Sequence, residues 1–166
     1  MTEPFERELR ASPVDSAEFV PSFVDLYHEC LTPMVRLAWA LTGLEATAED
    51  VVHDAFIRVH ARWARIDAPR AYLRQAVVNG CRTASRRSRR ELPVESVQLI
   101  EVSRLDADDL FDALGDLPYR QRAALVLHFY EGLPHSEIAQ LLHCREGTVA
   151  SLVHRGLEQL RRVIDR

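Results

Sequence analysis

The sequence contains no lysine, and all 21 of its basic residues are arginine. Its three cysteines, Cys30, Cys81 and Cys144, are too far apart for a C-x-x-C pair, so neither a zinc site nor a disulfide framework is expected. No run of about 18 apolar residues occurs, and the acidic N terminus lacks the features of a secretory signal. These absences predict a cytosolic protein with reduced thiols and no membrane insertion.

The net charge of −4 conceals blocks of opposite sign. Residues 58–90 hold ten arginines against Asp67 alone, whereas residues 1–57 hold three arginines against eleven acidic residues. Residues 91–117 are again acidic, with eight acids against Arg104. A basic block between acidic blocks is typical of a protein that binds a polyanion with one surface and another partner with a second surface.

At 166 residues, 47% of them hydrophobic, the chain can bury a core. No alternation of period two persists, so the predicted fold class is all-α, with two small helical domains joined by an acidic linker. Residues 1–17 are interpreted as a flexible leader and residues 18–90 as the first domain. Residues 91–106 are interpreted as the linker, and residues 107–166 as a second domain that contains a helix-turn-helix.

Two helices are predicted before the basic block. The first runs from residue 16 or 18 to about residue 42, where Gly43 closes it, and Pro33 is expected to kink or divide it. Thr47 is a candidate N-cap for the second helix, predicted over residues 48–64.

The outer face of the second helix combines acidic groups with an apolar side chain. Its members lie on the side opposite the predicted core and are Asp50, His53, Asp54 and Ile57. A single exposed isoleucine is common and needs no explanation. The alternative interpretation is a docking surface for a basic partner.

The basic helix, residues 69–90, has two different faces. Its apolar stripe is formed by Tyr72, Leu73, Ala76, Val77, Gly80 and Ala84. An amide-bearing and cationic row is predicted on the outer face and consists of Gln75, Asn79, Arg82 and Arg86. Arginine binds phosphate with a planar, permanently charged fork, so the row suits nucleic acid. A solvated helix with solubilising arginines is the alternative.

The C-terminal part shows the pattern of a helix-turn-helix. A helix is predicted from Pro118 to about Tyr130, a short one over residues 135–142, and a longer one over residues 146–162. The core is assigned to Ile138, Leu141, Val149, Val153 and Leu160. The outer face of the last helix, where a recognition helix meets the major groove, carries Thr148, Ser151, His154 and Arg155.

The sequence gives little indication of an enzyme. It has no nucleophile elbow, no glycine-rich phosphate loop and no cluster of metal ligands. His128, His135 and His143 share the second domain, but their wide spacing suggests surface or cap roles. No catalytic residue, cofactor or metal is therefore expected.

Two motifs resemble the extracytoplasmic-function (ECF) group of bacterial RNA polymerase sigma factors, the short type with two conserved domains. The segment AEDVVHDAFIRVHARW, residues 48–63, is similar to the polymerase-binding segment of that family. The segment GLPHSEIAQLLHCREGTVASLVHRGLEQLRR, residues 132–162, is similar to its promoter-reading helix-turn-helix. The resemblance covers about residues 19–162. It implies an alternative sigma factor that binds core RNA polymerase and directs promoter recognition and opening.

The resemblance also implies partners and site residues. Contact with the clamp helices of the largest polymerase subunit is implied for Asp50, His53, Asp54 and Ile57, although the family usually has glutamine at the position of His53. Minus-ten element binding is implied for Gln75, Asn79, Arg82, Arg86 and Arg87. Minus-thirty-five element binding is implied for Arg145, Thr148, Ser151, His154 and Arg155. Further implied partners are the polymerase flap region and, as in many relatives, an anti-sigma factor.

The last helix departs from the family pattern, because Ala150, Leu152 and Leu157 replace basic residues. Each lost phosphate contact removes about 0.9 from the salt slope of binding. We therefore expect weak reading of the minus-thirty-five element, or compensation by other cations, which are Arg145, Arg155, Arg161 and Arg162. Two alternatives stay open at this point, a stand-alone helix-turn-helix regulator and a sigma-like polymerase adaptor with weakened promoter reading.

Overall fold

A computed structural model of the chain describes residues 22–91 and 112–164. The predicted leader and nearly all of the predicted acidic linker lie outside the described residues. Every regular element in the described parts is helical, which confirms the all-α fold class. The helices are α1 (Phe23–Thr42), α2 (Glu45–Ala61), α3 (Pro69–Glu91), α4 (Tyr119–Leu125), α5 (His135–Leu141) and α6 (Glu146–Ile164). A 3₁₀ turn, Trp63–Arg65, follows α2, and a π-helical turn, Val126–Tyr130, continues α4.

Helix α1 is one continuous helix, so the expectation that Pro33 divides it is wrong. It begins with a capping box in which the Ser22 side chain accepts from the Asp25 backbone and Asp25 accepts from the Ser22 backbone. Proline removes one helical hydrogen bond. Here buried residues on both sides of it, such as Cys30 and Leu37, pack into the core and hold the helix together. The predicted end is correct, since Gly43 has a φ of 76°.

Helix α2 begins three residues earlier than expected, at Glu45. Leu44 occupies the N-cap position without a side-chain hydrogen bond, so the prediction that Thr47 caps the helix is wrong. The positive end of the helix dipole favours the carboxylate of Glu45 in this first turn. The helix ends at Ala61, and the 3₁₀ turn takes up the last residues of the predicted span.

Helix α3 matches its predicted span closely, but its buried arc is wider than expected. Leu73 and Val77 are buried as predicted, and Val78 and Cys81 are buried too. The extra burial arises because α3 packs against α1 and α2 on one side and against the C-terminal helices on another. Gly80 permits the close contact with α2, since a Cβ there would lie 2.7 Å from Cγ1 of Val51.

Helices α4 to α6 form the second unit, and they confirm the predicted helix-turn-helix. Helices α5 and α6 are joined by a tight turn in which His143 has a φ of 50°. All five residues assigned to its core are buried, namely Ile138, Leu141, Val149, Val153 and Leu160. The helix predicted from Pro118 to Tyr130 widens into the π-helical turn over its last five residues.

The two units pack against each other through buried polar contacts. The hydroxyl of Tyr119 donates to the Val78 carbonyl in α3 over 2.8 Å. Arg122, itself buried, donates to the Leu41 carbonyl at the end of α1 over 3.1 Å, and also to carbonyls at Gly115 and Leu117. A cation is favoured at a helix C terminus, where carbonyl groups lack helical partners. Sequence analysis did not identify this junction.

Candidate nucleic-acid interface

The outward strip of α2 is exposed along its whole length. The described structure leaves each of its four members, Asp50, His53, Asp54 and Ile57, in contact with solvent. Ile57 keeps 53% of its surface exposed. The opposite face of the same helix is buried, with Val52, Ala55, Phe56 and Val59 in the core. The strip therefore offers carboxylate oxygens, an imidazole and an apolar group to an external partner.

The predicted row on α3 does not face outward as a unit. Gln75 and Asn79 are half-buried, and the Gln75 amide donates to the Leu141 carbonyl in the second unit over 3.2 Å. Arg74, next to it, forms an ion pair of 3.2 Å with Glu131. The expectation that the whole row faces outward is therefore wrong for Gln75, because the helix-turn-helix unit packs against that part of α3.

Asn79 lies in a cleft of about 710 Å³ between α2 and α3. Arg87 lines the same cleft, and so do Asp50, His53 and Asp54 of the α2 strip. The side-chain oxygen of Asn79 is buried and has no hydrogen-bond partner among the described residues. A buried acceptor of this kind is costly unless a ligand or water donates to it. The cleft can thus accept a donor group such as a base edge.

Arg82 and Arg86 line a different cleft, of about 720 Å³, on the side of α3 that faces α4. Arg120 and His143 of the second unit line it as well. The five predicted minus-ten residues consequently occupy three surroundings: Gln75 at the inter-unit contact, Asn79 and Arg87 in one cleft, and Arg82 and Arg86 in another. Arg120 is a candidate that sequence reasoning missed, because its neighbours Gln121 and Arg122 are also polar and nothing in the local pattern distinguishes it.

The recognition face of α6 is free. Five residues are exposed there or in the preceding turn, namely Arg145, Thr148, Ser151, His154 and Arg155. Ser151 donates to the Gly147 carbonyl over 3.1 Å, and His154 lies 3.6 Å from the Glu158 carboxylate. These contacts stay within the helix.

The departures of α6 from the family pattern have a structural role. Leu152 and Leu157 are half-buried and pack against the core, whereas Ala150 is exposed. Leu157 also lines an apolar groove of about 550 Å³ together with Phe129 and Tyr130, whose side chains are 63% and 55% exposed. At two of the three positions where the family pattern has a basic residue, this chain therefore has a leucine that packs against the core.

Other chemistry is sparse in the residues that the structure describes. Within 22–91 and 112–164 there is no group of three or more metal-ligating side chains, and no helix there is long and apolar enough to cross a membrane. Burial raises the pKa of the Cys81 thiol to about 12, which makes it a poor nucleophile at neutral pH. The ring centroids of His128 and His135 lie 4.9 Å apart, and their spacing in sequence did not predict this proximity.

Comparison with protein families gives two matches in the order of the two units. The family described as Sigma-70 region 2 matches residues 26–91, and the family described as Sigma-70, region 4 matches residues 107–160. The first range contains most of α1 and all of α2 and α3, with the α2 strip, and the second contains α4, α5 and most of α6.

Individual relatives agree with these matches. The chain is 34% identical over 138 residues to the RNA polymerase sigma-E factor of Streptomyces coelicolor, covering 77% of each chain. It is also 34% identical over 158 residues to the ECF RNA polymerase sigma factor SigE of Mycolicibacterium smegmatis, covering 86% of this chain and 61% of that protein.

Solved structures share the fold. The sigma factor RpoE of Bartonella quintana, solved in complex with the anti-sigma factor NepR, matches with a TM-score of 0.71 and 25% identity, over 86% of this chain and 96% of that one. The fold of CnrH, solved in complex with the cytosolic domain of CnrY, matches with a TM-score of 0.65 and 23% identity, over 86% of this chain and 87% of that one. The regions, the relatives and the fold lead to one conclusion: the chain belongs to the ECF sigma factors, alternative sigma factors that direct RNA polymerase to promoters.

Proposed function

We propose that the α2 strip docks this sigma factor on core RNA polymerase, that α3 binds the minus-ten element and that α6 binds the minus-thirty-five element. The observation that carries the proposal is the exposure of the α2 strip on the side of the helix opposite the core. An exposed isoleucine stands among carboxylates on a helix whose other face is buried. Such a surface favours a basic partner with an apolar side chain, and the clamp helices of the largest polymerase subunit are the partner that family resemblance implies.

Two kinds of contact, which differ in their chemistry, would bind the minus-ten element. Arg82, Arg86 and Arg87 supply cations for phosphate, which give affinity without sequence information. The unpartnered oxygen of Asn79 supplies an acceptor for a base edge, which gives sequence information. Gln75 would join them only after its hydrogen bond to Leu141 breaks. Promoter binding by the full row thus requires the second unit to move away from α3.

The helix-turn-helix unit would bind the minus-thirty-five element with the exposed face of α6. Hydroxyl groups of Thr148 and Ser151 and the imidazole of His154 can reach base edges, while Arg145 and Arg155 contact phosphate. This unit would also contact the polymerase flap region. In this arrangement the chain is a binding subunit in the cytoplasm, and RNA synthesis belongs to the polymerase.

An anti-sigma factor is a further proposed partner. Among the structural neighbours, the sigma factor RpoE was solved in complex with the anti-sigma factor NepR, and CnrH was solved in complex with the cytosolic domain of CnrY. The groove at Phe129 and Tyr130 is apolar and is lined by residues of both units, and it is where we expect such an inhibitor to bind.

Co-purification with core RNA polymerase tests the docking surface. The test variant carries Asp54→Arg and Ile57→Asp, and the control carries Glu45→Arg and Val24→Asp, which make the same kinds of change at exposed positions outside the strip. We expect the wild type and the control to bind core enzyme and the test variant to lose binding. Equal binding by all three proteins would overturn the assignment of the strip.

Two further outcomes address the alternative functions. Sequence-specific duplex binding without any polymerase binding would support a stand-alone regulator. Polymerase binding without transcription from any promoter would support an adaptor.

A further inference from the structure

The cleft between α3 and α4 brings together basic side chains from both units. Arg82 and Arg86 line it from the first unit, and Arg120 and His143 line it from the second. Asp116 is the only acidic residue among its described lining residues. Basic groups contributed by two separate units, with so little opposing charge, repel one another unless an anion lies between them.

Three arginines of this cleft have N–H groups that are available to a ligand. No hydrogen bond or ion pair to a described residue engages Arg82 or Arg86. Arg120 donates one N–H to the Leu142 carbonyl over 3.1 Å and has four more. Arg122 also lines the cleft, but it donates to backbone carbonyls of both units, so we assign it to the junction and not to an anion.

The rest of the lining is suited to a ring. Leu117, Pro118 and Leu152 provide apolar walls, and the Tyr119 side chain lies beside them. The side-chain oxygen of Gln121 is buried and has no partner among the described residues. An unpaired buried acceptor favours a ligand with an N–H donor. The volume of about 720 Å³ is within the range of small-molecule sites.

We propose that this cleft binds a nucleoside polyphosphate, with its phosphates between Arg82, Arg86 and Arg120 and its base against the apolar wall, donating to Gln121. Bidentate guanidinium contacts suit a chain of phosphates, because each phosphate presents several acceptor oxygens. Binding bridges the two units and therefore favours the packed arrangement over the separated one.

A consequence of this site rests on the proposed function. Because Arg82 and Arg86 are also assigned to the minus-ten element, a bound nucleotide would compete with the promoter for the same side chains. It would also hold Gln75 on Leu141. The nucleotide would thus act as an inhibitor of promoter binding by the free sigma factor.

Calorimetric titration of the full chain with GTP, ATP and inorganic tripolyphosphate tests the site without polymerase or DNA, so its outcome is independent of the promoter assignments. We expect saturable 1:1 binding of a nucleotide at about 0.15 M salt. Arg86→Ala should weaken it about tenfold, the loss expected for one charge-assisted contact. The matched control is Arg87→Ala, since Arg87 is the next residue of α3 and lines the other cleft.

The proposal is overturned if no probe saturates, or if Arg87→Ala weakens binding as much as Arg86→Ala, which would indicate diffuse attraction to a basic helix. The variant Gln121→Leu tests the contribution of the base separately from that of the phosphates. It should weaken nucleotide binding several-fold and leave tripolyphosphate binding unchanged, and tripolyphosphate binding as tightly as both nucleotides would overturn the assignment of the base. Circular dichroism of each variant verifies that the helices are intact.

Discussion

Helices α3 and α6 each carry an apolar stripe and a polar row that contains arginine, but their surroundings differ. The recognition face of α6 is exposed, whereas the corresponding row of α3 is divided among an inter-unit contact and two clefts. Helix α6 packs on one side, against α4 and α5, while α3 packs against α1, α2 and the second unit. An apolar stripe with a polar row opposite therefore leaves the row of α6 exposed, whereas in α3 it leaves Gln75 hydrogen-bonded to the second unit.

The largest expected effect concerns the cations of α6 and its preceding turn. Replacing Arg145, Arg155, Arg161 and Arg162 with alanine should reduce the salt slope of duplex binding by up to about 3.6, at about 0.9 for each phosphate contact. Affinity for a minus-thirty-five duplex should fall by roughly a thousandfold at low salt. Binding measured over a series of salt concentrations provides both values.

The control for this experiment removes the same charge elsewhere, from the exposed residues Arg36, Arg58, Arg65 and Arg70. Its salt slope should change little. If the α6 variant keeps the affinity and slope of the wild type, these four arginines do not compensate for the missing cations of α6.

An effect of intermediate size is expected for glycine substitutions that compare the packing of α3 with that of α6. At Gly80 in α3 an added Cβ meets Val51 at 2.7 Å, whereas at Gly147 in α6 nothing lies within 4 Å. Gly80→Val should lower the free energy of unfolding by about 2 kcal/mol through overpacking. Gly147→Ala should raise it by about 0.5 kcal/mol, because alanine favours the helix. Urea denaturation measures both, and equal effects would contradict the difference in packing.

The smallest effect concerns the contact that joins α3 to α4. Tyr119→Phe removes the hydrogen bond to the Val78 carbonyl and should cost about 1 kcal/mol near neutral pH. Burial also raises the pKa of Tyr119 above its ordinary value of about 10. The folded protein therefore favours the protonated hydroxyl, so this stability is complete below about pH 10 and is lost as the pH rises through the folded pKa.

Urea unfolding at pH 9 and at pH 11 measures this dependence. The wild type should lose more stability between the two pH values than Tyr119→Phe does. Cys81, whose pKa is also raised by burial, contributes a similar loss to both proteins and cancels in the comparison. An identical loss in the wild type and the variant would show that Tyr119 does not titrate differently in the folded protein.

Local signals in the sequence predicted most of the fold. The positive φ of Gly43, the span of α3, and the buried set of the helix-turn-helix all follow from side-chain periodicity and helix-ending residues. The expected division of α1 at Pro33 and the expected cap at Thr47 were wrong, because local preferences compete with packing. The core holds α1 together across the proline, and the early turn at Gly43 lets α2 start before Thr47.

The sequence by itself determined the all-α class, the order of the helices and the exposed strip of α2, because these depend on which residues of one helix are apolar. Only the tertiary structure decided how the two units meet. The contacts of Tyr119 with Val78, of Arg122 with Leu41 and of Gln75 with Leu141 join residues that are 41, 81 and 66 positions apart. Backbone carbonyls accept each of these bonds. Since every residue carries such a carbonyl, no residue type in the sequence marks the partner, and only the packing of the helices selects it.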